Sequence, residues 1–200
     1  GANTKIASSA IVAAMAEASK SGKALIGKQT GSGVRPGSKT IEAEYGSAML
    51  AHATMEPMNT VVSVRKEACE IWVGTQVPTF VVAVAAKLTG LPPEKITVHN
   101  QYLGGGFGRR LETDSVQQAI AIAQRVNYPV KLVWSREQDL ARDFFRPPYH
   151  DHLVATVDTK GHPVTWSHRV TGDSVLNRFS PADMPKDGLD PDAIDGAAEP

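Results

Sequence analysis

Ile96-Thr-Val-His-Asn-Gln-Tyr-Leu-Gly-Gly-Gly-Phe-Gly-Arg-Arg-Leu-Glu112 runs a β-rich segment into a glycine loop and on toward a helical pattern, roughly Glu112 to Val126. Four of the seven residues from Gly104 to Arg110 are glycine. Backbone without side chains reaches conformations other residues avoid and lets a ligand approach its N–H groups. Strand, glycine loop and helix start, in that order, describe a cradle for an anion or cofactor. They equally describe a turn that lets two elements pack, and the glycines alone leave both readings open. Two familiar phosphate loops are excluded. A Walker A loop needs Gly-Lys-Ser/Thr where Gly108 is followed by Arg-Arg-Leu. The dinucleotide pattern G-x-G-x-x-G, started at Gly104, puts Arg109 where its third glycine belongs.

The 200 residues suffice for one or two domains with a sizeable core, and 42% hydrophobic content predicts a folded chain. Lys plus Arg (21) balances Asp plus Glu (21), which argues against a general nucleic-acid or membrane-surface binder. Cys69 is the one cysteine, so an internal disulfide and a Cys-only metal or iron–sulfur site are excluded within this sequence. No apolar run reaches membrane-spanning length. The alanine-rich segment Ile6–Ala18 contains Glu17 and reads as an amphipathic helix rather than a signal peptide.

Outward from the loop, residues 4–20 predict a helix and Lys28–Ser38 a linker rich in glycine and small polar residues. Thr40–Ala48 alternates Ile41, Ala43 and Tyr45 with acidic residues, a strand pattern. Thr60–Arg65 and Glu70–Gly74 predict a strand pair. Pro78–Thr89 predicts a helix, with Pro78 in its first turn, Gly90 at its stop and Phe80, Val81, Val84 and Leu88 inward. The helix after the loop turns Val116, Ile120 and Ala123 inward. Pro129–Trp134 predicts a strand, and Ser135 with Gln138 a capping box opening a helix to about Phe144. Tyr149–Asp158 and His162–Thr171 predict a β-hairpin. The βαβ rhythm covers only about residues 70–134, so the fold class is α+β, mixed sheets packed with helices and a partly parallel layer in the middle. The organisation expected is a helix and flexible linker over 1–39 and one domain over 40–200.

His150 and His152 alternate on one strand, but no third ligand is spaced to complete a metal site. They read as ordinary surface or hairpin histidines. Glu56, beside His52 in a Met-Glu-Pro loop, reads as a buried structural carboxylate or as polar support near a ligand. Arg109 and Arg110 either face a phosphate or pair with Glu112 and Asp114.

Several stretches carry a resemblance when taken as a set. They are Ala51-His-Ala-Thr-Met-Glu-Pro-Met-Asn59, Trp72-Val-Gly-Thr-Gln76, Leu91-Pro-Pro-Glu-Lys-Ile-Thr-Val98, Leu103-Gly-Gly-Gly-Phe-Gly-Arg-Arg-Leu-Glu-Thr113, Pro129-Val-Lys-Leu-Val-Trp-Ser-Arg-Glu137 and Asn177-Arg-Phe-Ser-Pro181. The set resembles the molybdenum-binding large subunit of the xanthine dehydrogenase/aldehyde oxidase family. Within it, the chain is similar to the isoquinoline 1-oxidoreductase type, which includes membrane-associated bacterial aldehyde dehydrogenases. The resemblance covers about residues 40–200 and implies part of a molybdopterin-binding domain from a longer subunit.

The resemblance implies a molybdopterin cytosine dinucleotide with molybdenum and oxidation of aldehydes or N-heterocycles with water-derived oxygen. It places Gln76 at a molybdenum oxo group, where a neutral amide donates without adding charge. It brings the backbone of Gly105, Gly106, Phe107 and Gly108 against the same centre and puts Arg109 at the cofactor, with no protein side chain ligating the metal. It further implies a small [2Fe-2S] partner subunit, a cytochrome c in some complexes, and a bacterial periplasmic or membrane-associated setting. The family's general base, a glutamate in a late motif, has no counterpart here. Neither Glu199 nor Glu112 is assigned that or a substrate-contacting role. No catalytic residue is therefore assigned, and the isolated chain is expected to be inactive. The competing expectation is a non-catalytic fold or assembly domain that keeps these motifs as structure.

Overall fold

The computed structural model describes residues 6–21, 23–31 and 39–194. It is α+β and forms two compact units: Ala51–Phe145, and Gly1–Leu50 together with Arg146–Pro200.

In the Ala51–Phe145 unit, β2 (Asn59–Val64) and β3 (Cys69–Val73) form the expected antiparallel pair, with Val62 opposite Ile71. The helix α2 (Pro78–Thr89) carries the chain from β3 to β4 (Ile96–Asn100), which pairs parallel with β3. A parallel neighbour requires such a crossover. After the glycine loop, α3 (Asp114–Ala123) leads to β5 (Val130–Val133), antiparallel on the far side of β2. The sheet order is β4-β3-β2-β5. Pro78 in the first turn of α2 lacks the N–H that would be unsatisfied there anyway. Gly90 closes the helix at φ 74°, its N–H reaching the carbonyl of Ala86.

α2 and α3 pack on each other and on the sheet. Val62, Cys69, Ile71, Val73, Val81, Ala85, Val116, Ala119, Ile120 and Ala123 form one buried core. The inward residues expected of α3 are the ones found. The face expected of α2 is turned: Val81 and Ala85 are sealed, while Phe80 and Leu88 are exposed. Val81 and Ala85 stand one helical turn apart, on the face of α2 packed into the core. The helix α4 (Arg136–Ala141) opens with Ser135 accepting the N–H of Gln138, as expected. It stops three residues short of Phe144, which frees Asp143 for another role.

In the other unit, α1 (Ser8–Ser21) packs on β6 (Tyr149–Val157) and β7 (Pro163–Gly172). β6 is the centre of a three-stranded antiparallel sheet, with β1 (Lys39–Ser47) on one side and β7 on the other. The β6–β7 turn is the expected one at Asp158–Gly161, with Gly161 at φ 86°. A short helix α5 (Val175–Phe179) and two 3-10 turns, Pro181–Asp183 and Pro191–Ile194, make up the described C-terminal part. The expectations for residues 4 and 5, for linker positions 32–38 and for Glu199 lie outside the described residues.

Candidate functional site

Because β3 and β4 are parallel neighbours, their C-terminal ends lie side by side. The segment after β3, Gly74-Thr75-Gln76, therefore meets the loop after β4. Open sheets with parallel strands bind ligands at such carboxyl ends. Gln76 and the glycine loop do come together: Gly108 donates its N–H to Gln76 Oε1 at 3.3 Å. A β-carbon on Gly106 would stand 2.8 Å from that same oxygen. A backbone N–H can only donate, so the amide oxygen is the atom facing Gly108. The Gln76 NH2 is left outward, on an exposed side chain.

The loop follows an unusual path. Gly105 (φ 101°), Phe107 (φ 55°) and Gly108 (φ 96°) all have left-handed backbone, a conformation Phe seldom adopts. Within the loop, Arg109 N–H bonds to the Gly106 carbonyl and Leu111 N–H to that of Gly108. The N–H groups of Gly105, Gly106 and Phe107 make no hydrogen bond among the described residues. Phe107 is 70% exposed, so this face of the loop is open.

Buried arginines brace the loop from beneath. The Arg110 side chain, fully buried, donates to three carbonyls: Gly105 (2.8 Å), Glu56 (3.0 Å) and Gly74 (3.3 Å). It also pairs with Glu56 Oε2 at 2.7 Å. Glu56 takes the Gly104 N–H at 3.0 Å and the Asn59 amide at 2.9 Å. Burial alone would raise the Glu56 pKa; the bonds from Asn59 and Gly104 and the charge of Arg110 outweigh it and hold the carboxyl below its usual range. Glu56 is thus structural, as its position suggests. Its side chain is nevertheless 40% exposed rather than buried, because its partners lie on one side of it.

Of the two roles open to Arg109, the structure shows the ion pair. Its guanidinium is bidentate to Asp114 at 2.9 and 3.0 Å and lies between the rings of Trp134 and Phe144, each centroid 5.4 Å away. Asp143 Oδ1 stands 3.5 Å from Arg109 Nε. Asp143 also accepts the His52 backbone N–H and the His52 ring nitrogen Nδ1, the latter at 2.7 Å. Arg136 holds the same loop by donating to the carbonyls of Thr54 and Met55.

Nothing in the local sequence announces Asp143 or Arg136 as partners of the His52–Glu56 loop. Both come from about 80 to 90 residues further along, brought back by the β2–β5 pairing. The histidines of β6 divide: His152 bonds Glu42 at 2.6 Å, whereas His150 is buried rather than on the surface. The described residues contain no cluster of three or more His, Cys, Asp or Glu able to hold a metal.

The family described as "Molybdopterin cofactor-binding domain" matches residues 28–184. The β subunit of isoquinoline 1-oxidoreductase from Brevundimonas diminuta is 38% identical over 149 residues, 74% of this chain and 19% of that protein. A membrane-bound aldehyde dehydrogenase [pyrroloquinoline-quinone] from Gluconacetobacter polyoxogenes is 34% identical over 54% of this chain and 14% of its own length. The chain thus spans about a fifth or less of these relatives. Quinoline 2-oxidoreductase from Pseudomonas putida 86 shares the fold, with TM-score 0.57 and 18% identity over 66% of this chain and 17% of that one.

Proposed function

The chain belongs to the molybdopterin cofactor-binding domain family, and from that premise we propose that Gln76 and the loop 105–108 hold the molybdenum end of a molybdopterin cytosine dinucleotide. The enzyme would be an oxidoreductase acting on aldehydes or N-heterocycles. The observation that carries this reading is the donor set: three backbone N–H groups, at Gly105, Gly106 and Phe107, with no partner among the described residues, beside an amide whose oxygen is already taken by Gly108. Neutral donors of this kind suit oxo and hydroxyl oxygens on a metal, and they leave the metal without a protein ligand. When bound, the cofactor would supply the redox chemistry for transferring a water-derived oxygen to an electron-poor carbon.

The chain's own residues bind and orient. Gln76 donates through its NH2. The loop amides close around the oxygens. Arg109 acts through its backbone and as a brace, its guanidinium being committed to Asp114. Arg110 and Glu56 keep the loop from collapsing onto the sheet. No residue here is assigned as general base, and the isolated 200-residue chain is expected not to turn over substrate. A [2Fe-2S] subunit, a cytochrome c and a periplasmic or membrane-associated setting complete the proposal. None of the described helices is long and apolar enough to cross a membrane.

The test is Gly106→Ala and Gly108→Ala in the full-length gene product, co-expressed with its electron-transfer partner. A β-carbon at Gly108 meets φ 96°, at a cost of about 1–3 kcal/mol for a sparsely populated conformation. At Gly106 it meets Gln76. Molybdenum content and turnover should fall more sharply than melting temperature. If both variants keep full metal and normal turnover per folded molecule, the loop is only a turn and the reading fails.

A further inference from the structure

Beneath the loop lies a polar group that the donor set above does not use. The His52 side chain is only 10% exposed, and its Nδ1 faces Asp143 Oδ1 at 2.7 Å. Asp143 also receives the His52 backbone N–H, the Phe145 N–H at 3.4 Å and, more distantly, Arg109 Nε. A carboxylate with so many donors only accepts, so Nδ1 carries the proton in that bond. The ring is thereby fixed with Nε2 pointing the other way. Nε2 stands 3.6 Å from where a β-carbon of Gly108 would be, and it makes no hydrogen bond among the described residues. The non-glycine residues with left-handed backbone among those described are Ala53 (φ 45°), next to His52, Phe107 (φ 55°), next to Gly108, and Phe145 (φ 55°), two residues after Asp143. The His52 side chain is thus nine-tenths covered, yet its Nε2 edge has no protein partner among the described residues and lies beside Gly108, in the loop where the amides of Gly105, Gly106 and Phe107 also have none there.

We propose that His52 is a positioning residue of this site, oriented by Asp143 so that Nε2 contacts an anionic oxygen of whatever the glycine loop holds. The oxygen is a phosphate or an oxo group, and the contact is a hydrogen bond donated by Nε2. The proposal rests on the cofactor reading above.

Two isosteres separate this role from simple bracing. His52→Asn places an amide N–H near the position of Nδ1, keeping the bond to Asp143 and removing Nε2. His52→Gln places its amide near Nε2 and gives up the Asp143 bond. Molybdenum and organic phosphate bound per folded molecule are measured in the full-length gene product, alongside melting temperature. Contact through Nε2 predicts that His52→Asn loses ligand at least tenfold while His52→Gln keeps half or more. Any result in which His52→Gln retains no more ligand than His52→Asn overturns the proposal. Should either variant fail to fold, 15N-histidine spectra of the unaltered protein with and without its ligand decide the matter. The Nε2 resonance of His52 must move on loading, and an unmoved Nε2 overturns the proposal. Gly106→Ala serves as the reference. If it too keeps its ligand, the cofactor reading has failed; if it loses ligand while His52→Asn does not, only the role of His52 has.

Discussion

In β2 and β3, Val62 and Ile71 stand opposite each other with no exposed surface. In β1, eight of nine residues are exposed. Both sheets are paired along their strands, with one register irregularity at Thr156/Val157 between β6 and β7, so pairing alone does not distinguish them. The four-stranded sheet is sealed by α2 and α3. The three-stranded sheet instead carries polar pairs across its strands: Glu42–His152, Asp151–His168 and Thr156–Thr165, at 2.6 to 2.8 Å. Such cross-strand pairs each contribute a fraction of a kcal/mol, whereas each sealed aliphatic residue contributes several times that. The candidate site belongs to the sealed sheet. A cradle of unpaired amides needs a backing that does not yield, and close-packed strands and helices provide one.

The largest test of this contrast is Ile120→Ala in α3. The side chain is wholly buried, and its loss should destabilise the chain by about 2–5 kcal/mol in urea unfolding followed by fluorescence or circular dichroism. A loss below about 1 kcal/mol would show that the core under α3 is loose. Arg110→Met ranks next. It fills the volume but leaves the carbonyls of Gly105, Gly74 and Glu56 without their donor. A cost of about 1–3 kcal/mol is expected, with faster amide exchange at Gly104 and Gly108 as the local signature.

Asp143 gives a pH-dependent test. Burial tends to raise its pKa, but hydrogen bonds from the His52 backbone and ring, the charge of that histidine and the Phe145 N–H outweigh burial and hold the carboxyl below its usual range. A carboxyl whose folded pKa is depressed contributes stability above its unfolded value, and loses it as pH falls through the folded one. Stability should therefore decline on the acid side of the ordinary carboxylate range, below about pH 4. Asp143→Asn should flatten that decline when unfolding free energies are compared between about pH 5 and pH 3; an unchanged acid limb would mean that Asp143 does not titrate as placed. Smallest is Glu42→Gln in β1, which removes the charge facing His152. The expected loss is about 0–0.5 kcal/mol and should vanish in high salt. A loss above 1 kcal/mol would place the three-stranded sheet in the same energetic class as the sealed one.

Much of this was legible without coordinates, because it is local. Period-two alternation marks β1 and the β6–β7 hairpin, and the 3.6-residue period marks the inward face of α3. Pro78, Gly90 and Ser135 punctuate helices through properties of their own backbone or side chain. The motif set around Gln76 and Gly104–Gly108 pointed to the family before any fold was drawn. Where the reading slipped, packing had decided. α2 buries Val81 and Ala85 and leaves Phe80 exposed, a choice between faces that its apolar residues alone do not make. α4 ends at Ala141, and Asp143 beyond it bonds to His52 from a distant segment.

The elements, their order and the residues able to form a donor-rich loop follow from the amino-acid sequence itself, since propensity, periodicity and glycine placement act over a few residues. Which distant groups those elements bring together was settled by tertiary structure. Gln76 meets Gly108 because β3 and β4 lie parallel, and His52 meets Asp143 across 91 positions. Arg110 turns inward to three carbonyls because the chain returns there from three directions. A hydrogen bond acts over about 3 Å and takes no account of separation along the chain, so its choice of partner leaves no trace in residue spacing.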